Sequence, residues 1–294
     1  MLELATAAVV GLLAGRLVWL GARPWFAQPA LLRANYRNKL VPTATGVALP
    51  LALFVVEAGR ALVAAAGVGR QSGVDAPRLL TLVVVAGFCL LGTVDDVVGA
   101  GEYRGFRGHL FALAAGRVTT GLFKLAGGAA VALVAVAPVA GRSLGRLVAD
   151  AALVALCANG VNLLDRAPGR AGKAVLAAFV VLAVATGGDR ALAGLAVLTG
   201  AAAALLLDDL RERLMLGDAG ANPLGAAVGL GVVLTTSPAT RTTVLVAVLA
   251  LNVLGELVSF SRVIDAVPPL RALDQLGRAP VQPSRRRRRP GAAS

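Results

Sequence analysis

Long apolar runs alternate along this chain with short polar segments. Nine runs come close to the roughly 20 residues that a helix needs to cross the hydrocarbon core of a bilayer. Several are short or rich in glycine and alanine, which favours close helix packing in lipid. The pattern predicts an all-α, polytopic membrane bundle of nine helices, or ten if residues 105–116 add one. The nine runs are Leu2–Leu20, Gly46–Val68, Leu79–Val94, Gly121–Ala140, Leu147–Leu164, Ala174–Thr186, Ala191–Leu207, Gly220–Thr236 and Thr243–Phe260.

Composition excludes a soluble globular surface. Of the 294 residues, 57% are hydrophobic and only 15% are charged, and the mean hydropathy is +0.77, values typical of a polytopic membrane protein. The first run lacks a basic leading segment and a small-residue cleavage site, so it is expected to remain as a membrane helix. Cys89 and Cys157 both lie within apolar runs and are expected to be buried small hydrophobes.

The distribution of basic residues predicts the orientation. With the N-terminus outside, 21 of the 29 lysines and arginines fall on the cytoplasmic side and seven fall outside. This bias predicts nine spans in the plasma membrane with a cytoplasmic C-terminus. It also accounts for the net charge of +13 without a nucleic-acid partner, because cytoplasmic loops face anionic lipid. We expect a transmembrane domain over 1–264 and a basic, disordered cytoplasmic tail over 265–294.

The same topology places every polar cluster of interest on the cytoplasmic side. These clusters come from loops far apart in the sequence, which is typical of an enzyme or a gated transporter with a cytoplasmic site. They occupy Asn35–Gly46, Asp95–Lys124, Asn159–Lys173 and Asp208–Asn222.

Asp95 and Asp96 follow directly from an apolar run. Acids at such a position are costly unless they hold a cation or move protons. The pair could bind a divalent cation, activate a nucleophile, relay protons or simply end a helix in solvent. Magnesium held by one or two carboxylates together with substrate phosphates would satisfy both charges.

Two further clusters carry candidate ligands. Asn159, Asn162 and Asp165 recur at three-residue intervals, which predicts one polar stripe at a helix end that suits a base or ribose; helix capping is the alternative. Asp218 stands between glycines at the entry to an apolar run, where it would either meet a ligand closely or cap the helix. His109 is the single histidine and has no second histidine as a metal-binding partner.

Taken together, the motifs resemble the polyprenyl-phosphate N-acetylhexosamine-1-phosphate transferases. This family includes phospho-N-acetylmuramoyl-pentapeptide transferase and the UDP-GlcNAc:undecaprenyl-phosphate transferases. The resemblance covers most of the chain, in order. It rests on VPTATG near residue 45, GTVDD at Gly92–Asp96, RGHL with the later Lys124, NGVNLLD at Asn159–Asp165 and LGDAGAN at Leu216–Asn222.

The resemblance implies an enzyme that transfers a sugar-1-phosphate from a UDP-sugar to a polyprenyl phosphate and releases UMP, for cell-wall or surface glycan assembly. It implies Mg²⁺, with Mn²⁺ as an alternative, at Asp218. It implies that Asp95 and Asp96 handle the lipid phosphate and the metal-bound diphosphate. It also implies contacts to the nucleotide or phosphates, and it allows a homodimer. The contact residues would be Lys39, Lys124, Asn159, Asn162 and Asp165.

The chain departs from the family pattern at three places. The segment after residue 260 lacks the usual histidines, the acid pair is followed by Val97 rather than a lysine nearby, and Asp208 stands where an asparagine is usual. A divergent relative therefore fits better than a peptidoglycan-precursor enzyme, and the donor sugar stays open. The alternatives are a catalytically weakened relative that acts as a partner in lipid-linked glycan assembly, and an unrelated transporter.

Overall fold

The computed structural model describes residues 1–68, 74–99, 116 and 119–279, and within these ranges it is a helical bundle with one small hairpin. The hairpin pairs β1 (Leu32–Ala34) antiparallel with β2 (Leu40–Pro42). The helices are α1 (Leu2–Phe26), α2 (Ala48–Ala65), α3 (Ala76–Val98), α4 (Thr120–Val136), α5 (Leu144–Leu164), α6 (Arg170–Ala185), α7 (Ala193–Leu210), α8 (Asp218–Thr235), α9 (Pro238–Leu257), α10 (Phe260–Ala266) and α11 (Pro268–Gln275).

Each of the nine predicted apolar runs corresponds to one helix, from α1 to α9. Within the described part of the chain, six helices are long and apolar enough to cross a membrane: α1, α2 with its preceding turn, α3, α5, α7 with its preceding turn, and α9. Helix α4 is apolar but shorter. The all-α membrane bundle is therefore supported, while the count of nine spans stays a prediction. The predicted tenth helix lies outside the described residues except for Gly116.

Helices α7 and α8 form the centre of the bundle. Helix α7 packs along α1, and α8 packs between α3 and α5. Small residues allow this approach: a Cβ on Gly229 of α8 would meet the Cα of Val154 on α5 at 2.9 Å. Both cysteines are free and buried, as predicted. The most buried helices are thus those that present their polar ends to the site described below.

The polar loops meet at one end of the bundle. The hairpin after α1, the end of α3, the turn before α6 and the segment from the end of α7 to the start of α8 are joined there by hydrogen bonds. At the opposite end, Arg190 pairs with Glu3 at 2.8 Å. The grouping of the predicted polar clusters on one side therefore has a direct counterpart in the fold.

Part of the segment predicted to be a disordered tail is folded. Residues 265–279, expected to belong to it, instead include the end of α10 and all of α11. Asp274 is buried and accepts hydrogen bonds from Arg170 of α6 at 2.8 and 3.2 Å and from Arg278 at 2.5 Å. These charge-assisted bonds hold the segment against the bundle. Residues 280–294, with the run of five arginines, lie outside the described residues.

Two acids within the apolar helices are neutralised by arginines. Glu57 of α2 pairs with Arg78 of α3, and both side chains are at most 5% exposed. Asp150 of α5 is fully buried between Arg146 and Arg241, at 2.6 and 3.0 Å. A buried charge that loses its partner is costly, so these pairs hold neighbouring helices together.

Replacing Arg78 by methionine is expected to lower the free energy of unfolding by about 3 kcal/mol, because Glu57 would lose its fully buried partner. The double variant Glu57→Gln/Arg78→Met should recover most of that loss, since no buried carboxylate then remains and Arg60, the second partner of Glu57 at 3.3 Å, keeps 22% of its side chain exposed. Thermal unfolding of the purified protein in detergent measures both. Equal destabilisation by the single and the double variant would contradict this account.

Candidate functional site

The acid pair lies in the last turns of α3, against the start of α8. Asp96 accepts hydrogen bonds from the backbone N–H groups of Asp218 and Ala219, both at 3.0 Å. A carboxylate at a helix N-terminus satisfies free N–H groups and opposes the positive end of the helix dipole. The approach is close because Gly92 has no side chain: a Cβ there would collide with the backbone of Asp218. Asp96 thus caps a helix 122 residues away.

Lys124 joins the other two acids. Its Nζ donates to Asp95 Oδ2 at 3.0 Å and also to the carboxylate of Asp218. Lys124 lies in the first turns of α4, so three helices contribute to one group of charges. We call Asp95, Asp96, Lys124 and Asp218 the acid–lysine centre. An ammonium group shared by two carboxylates favours the ionised form of each and so offsets part of the cost of placing two acids together.

The segment after the hairpin braces the loop that carries Asp218. Met215 N–H donates to the carbonyl of Pro42 at 2.8 Å, and Thr45 Oγ1 donates back to the carbonyl of Met215 at 2.7 Å. Gly46 N–H donates to the carbonyl of Leu216 at 3.1 Å, and a Cβ on Gly46 would collide with Gly220. The predicted VPTATG motif therefore fixes the entry to α8.

A cleft of about 240 Å³ opens beside the centre, between the hairpin, the end of α5 and the loop before α8. Four acidic side chains line it, although the whole chain carries a charge of +13. Its surface is therefore suited to a cation or to a ligand that arrives with one. The acids are Asp165, Asp209, Glu212 and Asp218, and the lining also includes Asn35, Tyr36, Thr43, Asn162, Arg166 and Met215.

Asp165 stands at the end of α5, in the wall of this cleft. The backbone N–H of Gly217 faces its carboxylate and favours the charged form. Burial, followed by the negative charge of Asp209, raises the pKa of Asp165 well above its ordinary value. In such surroundings a bound cation would stabilise the ionised form of the carboxylate.

We expect Asp165→Asn to be more stable than the wild type at pH 8 and no more stable near pH 4. The folded pKa lies above the unfolded value near 4, so stability is full below that value and is lost as pH rises. Asparagine does not ionise and avoids the loss. Thermal unfolding in EDTA should show a Tm about 3 °C higher for the variant at pH 8. A Tm difference that is the same at both pH values would contradict this.

The predicted site residues divide into two groups. The structure brings Asp95, Asp96, Lys124 and Asp218 together, and Asn162 and Asp165 line the adjoining cleft.

Two other predicted residues point elsewhere. Asn159 donates to Asn252 of α9 at 2.6 Å, and Lys39 Nζ donates to the carbonyl of Glu212 at 2.8 Å. A spacing of three residues drifts around a helix, so Asn159 faces α9 while Asp165 faces the cleft. His109 lies outside the described residues.

Two acids of the cleft lie within the predicted cluster Asp208–Asn222 but were not singled out as site residues. Asp209 accepts a hydrogen bond from the backbone N–H of Gly169 at 2.9 Å, and Glu212 binds the hairpin. The signal for Asp209 was a second pair of adjacent acids at the end of an apolar run, like that at Asp95 and Asp96.

Asp208 lies outside the cleft lining and contacts α1 instead. It accepts hydrogen bonds from Arg16 at 2.7 Å and Trp19 at 3.0 Å on α1, and from Arg213 at 3.2 Å. The aspartate therefore neutralises Arg16, the one basic residue within the first apolar run. These contacts join α1 to α7, along which it packs.

The acidic side chains of this site suit a Mg²⁺ ion that is also coordinated by a substrate. Within residues 1–68, 74–99, 116 and 119–279, no three acidic, histidine or cysteine side chains form a metal-binding group. Mg²⁺ needs only one or two carboxylates when substrate phosphates and water complete its shell. Asp218 faces both the cleft and Lys124, so it meets that requirement.

Comparison of the chain with protein-family models finds no match, and comparison with curated proteins finds none either.

Proposed function

We propose that this protein is a membrane transferase that moves a sugar-1-phosphate from a UDP-sugar to a polyprenyl phosphate and releases UMP. One observation carries the proposal. Asp96 caps the helix that begins with Asp218, while Lys124 bridges Asp218 to Asp95. Three motifs that resemble those of one transferase family thus form a single charged centre beside an acidic cleft.

The proposed roles follow from this geometry. Asp218 would hold Mg²⁺ at the edge of the cleft, and Asp96 keeps the Asp218 backbone in place. Lys124 would exchange its bond to Asp218 for a phosphate oxygen of the donor. Asp95 would orient the lipid phosphate, and Asn162 with Asp165 would contact the nucleotide. Mg²⁺, when bound, supplies neutralisation of the phosphate charge.

Phosphoryl transfer asks mainly for positioning and for stabilisation of negative charge. A site at the end of an apolar bundle meets a soluble donor from one side and a lipid acceptor from the other. The basic-residue bias supports a cytoplasmic location for this end in the plasma membrane. The centre is therefore where such a reaction would need it.

A transfer assay tests the proposal. Protein in detergent is supplied with Mg²⁺, undecaprenyl or decaprenyl phosphate and a panel of labelled UDP-sugars. We expect labelled lipid that requires Mg²⁺ and disappears in Asp95→Asn, and the productive sugar names the donor. Folded wild-type protein that yields no product with any donor and binds no nucleotide would reject the transferase.

One observation favours a second candidate, a catalytically weakened relative that acts as a partner in lipid-linked glycan assembly. Lys124 occupies the Asp218 carboxylate, so a cation has to displace it. If the wild type binds UDP-sugar without transfer, this candidate is preferred. A transporter is less well supported, because Glu57 and Asp150 within the apolar helices are already paired with arginines.

A further inference from the structure

Glu212 occupies a backbone position that usually belongs to glycine. It follows the end of α7 with φ of +54°. Its N–H donates to the carbonyl of Asp209 at 2.8 Å, and the N–H of Arg213 donates to the carbonyl of Asp208 at 2.9 Å. This is the helix-ending motif in which a left-handed residue, most often glycine, follows the last turn. A glutamate here adopts a strained conformation, so its side chain must contribute enough to offset that cost.

The side chain binds a single short segment of the chain. The Glu212 carboxylate accepts hydrogen bonds from Asn35 Nδ2 and from the hydroxyl of Tyr36, each at 3.1 Å, and pairs with Arg37 at 3.0 Å. Its backbone carbonyl accepts from Lys39 Nζ at 2.8 Å. The side chain is only 7% exposed. Four partners within residues 35–39 therefore converge on one residue.

These bonds connect the hairpin to the loop that carries Asp218. With three residues in each strand, the hairpin is too small to hold its position alone. Asn35 and Tyr36 line one side of the cleft, while Met215, Gly217 and Asp218 line another. The loop leaves Glu212 and reaches Asp218 within six residues. Glu212 therefore ties the Asn35–Lys39 side of the cleft to the start of this loop, while Thr45 and Gly46 brace the end of the loop.

We propose that Glu212 is a positioning residue that sets the width of the cleft by holding the hairpin against the loop that follows α7. Arg37 neutralises the carboxylate of Glu212, and Lys39 donates a hydrogen bond to its backbone carbonyl. Glu212 therefore acts as a clamp that holds the hairpin against the loop, rather than as a cation ligand. The inference rests on the proposed function for what the cleft binds, namely a nucleotide diphosphate with its metal. The clamp itself is a property of the fold and is measured without any ligand.

Spin labels on either side of the cleft test the clamp. Leu40 on β2, 65% exposed, and Arg166 after α5, also exposed, are replaced by cysteine and labelled. The label should react selectively at these two positions because the native Cys89 and Cys157 are buried. In the wild-type background we expect one narrow distance distribution. Glu212→Gly relieves the backbone strain and removes the side chain, so it should keep the thermal stability of the fold while broadening that distribution. Glu212→Gln should be intermediate, and Glu3→Gln at the other end of the bundle should be unchanged.

Donor kinetics provide the second measurement. Glu212→Gly should raise the KM for the UDP-sugar about tenfold and lower kcat as well, with partial recovery in Glu212→Gln. A narrow distribution that persists in Glu212→Gly would overturn the clamp. So would a broadened distribution with unchanged KM and kcat. A wild type without transfer would reject the proposed function instead, and the distance measurement would still decide the clamp.

Discussion

Asp218→Asn is expected to reduce Mg²⁺-dependent transfer by about 10³-fold. A metal that neutralises phosphate charge contributes several kcal/mol to the transition state, and each 1.36 kcal/mol is a factor of ten in rate. Asparagine keeps the size of Asp218 but removes the negative charge that would hold the metal. Its amide would also face Lys124, which then has Asp95 as its remaining carboxylate within the centre. The measurement is the rate of labelled-lipid formation as a function of Mg²⁺ concentration.

The matched control is Asp189→Asn. Asp189 is an aspartate in the turn before α7, where its carboxylate accepts from the N–H of Ala191 at 2.8 Å. That turn lies at the opposite end of the bundle, so transfer should stay within about twofold of the wild type, as is usual for substitutions remote from a site. A loss of activity in Asp218→Asn that higher Mg²⁺ fully restores would place Asp218 in a weaker, outer role. Unchanged transfer in Asp218→Asn would remove it from the site.

Lys124→Met is expected to lower kcat about 10²-fold, the effect of removing one preorganised charge-stabilising donor. The same substitution should lower the Mg²⁺ concentration needed for half-saturation. The reason is that Lys124 binds the carboxylates of Asp95 and Asp218, and both would be released for a cation. Opposite changes in turnover and in metal affinity separate this lysine from a residue that is merely structural.

Two comparisons sharpen the result. Lys124→Arg keeps the charge but not the compact ammonium geometry, so it should retain Mg²⁺ affinity near the wild-type value and recover part of kcat. Lys173→Met removes a lysine whose Nζ caps the carbonyls at the end of α11, and it should leave the Mg²⁺ dependence unchanged. If Lys124→Met weakened Mg²⁺ binding, the exchange of lysine for metal at Asp218 would be wrong.

The positions of the helices followed from the sequence because apolar length and periodicity are local properties. Each of the nine runs forms a helix, and the caps at Asp75, Ser143 and Ser237 accept hydrogen bonds from their own first turns. The sequence did not predict that residues 265–279 are folded. Helix α11 stays in place because Asp274 meets Arg170, and a contact between residues 104 positions apart leaves no local pattern.

For the site, the sequence by itself determined which charged and polar groups were available, and it predicted that they lie on the cytoplasmic side. Adjacent acids after an apolar run, and an aspartate between glycines, can be recognised as candidate site residues in a sequence. The reason is that a charge next to lipid is costly unless it has a function. Only the tertiary structure decided how those groups combine. In the fold, Asp96 caps α8, Lys124 bridges Asp95 and Asp218, and Asn159 donates a hydrogen bond to α9. Side-chain partners depend on how helices rotate and approach one another, and that is set by packing across the whole bundle rather than by any single segment.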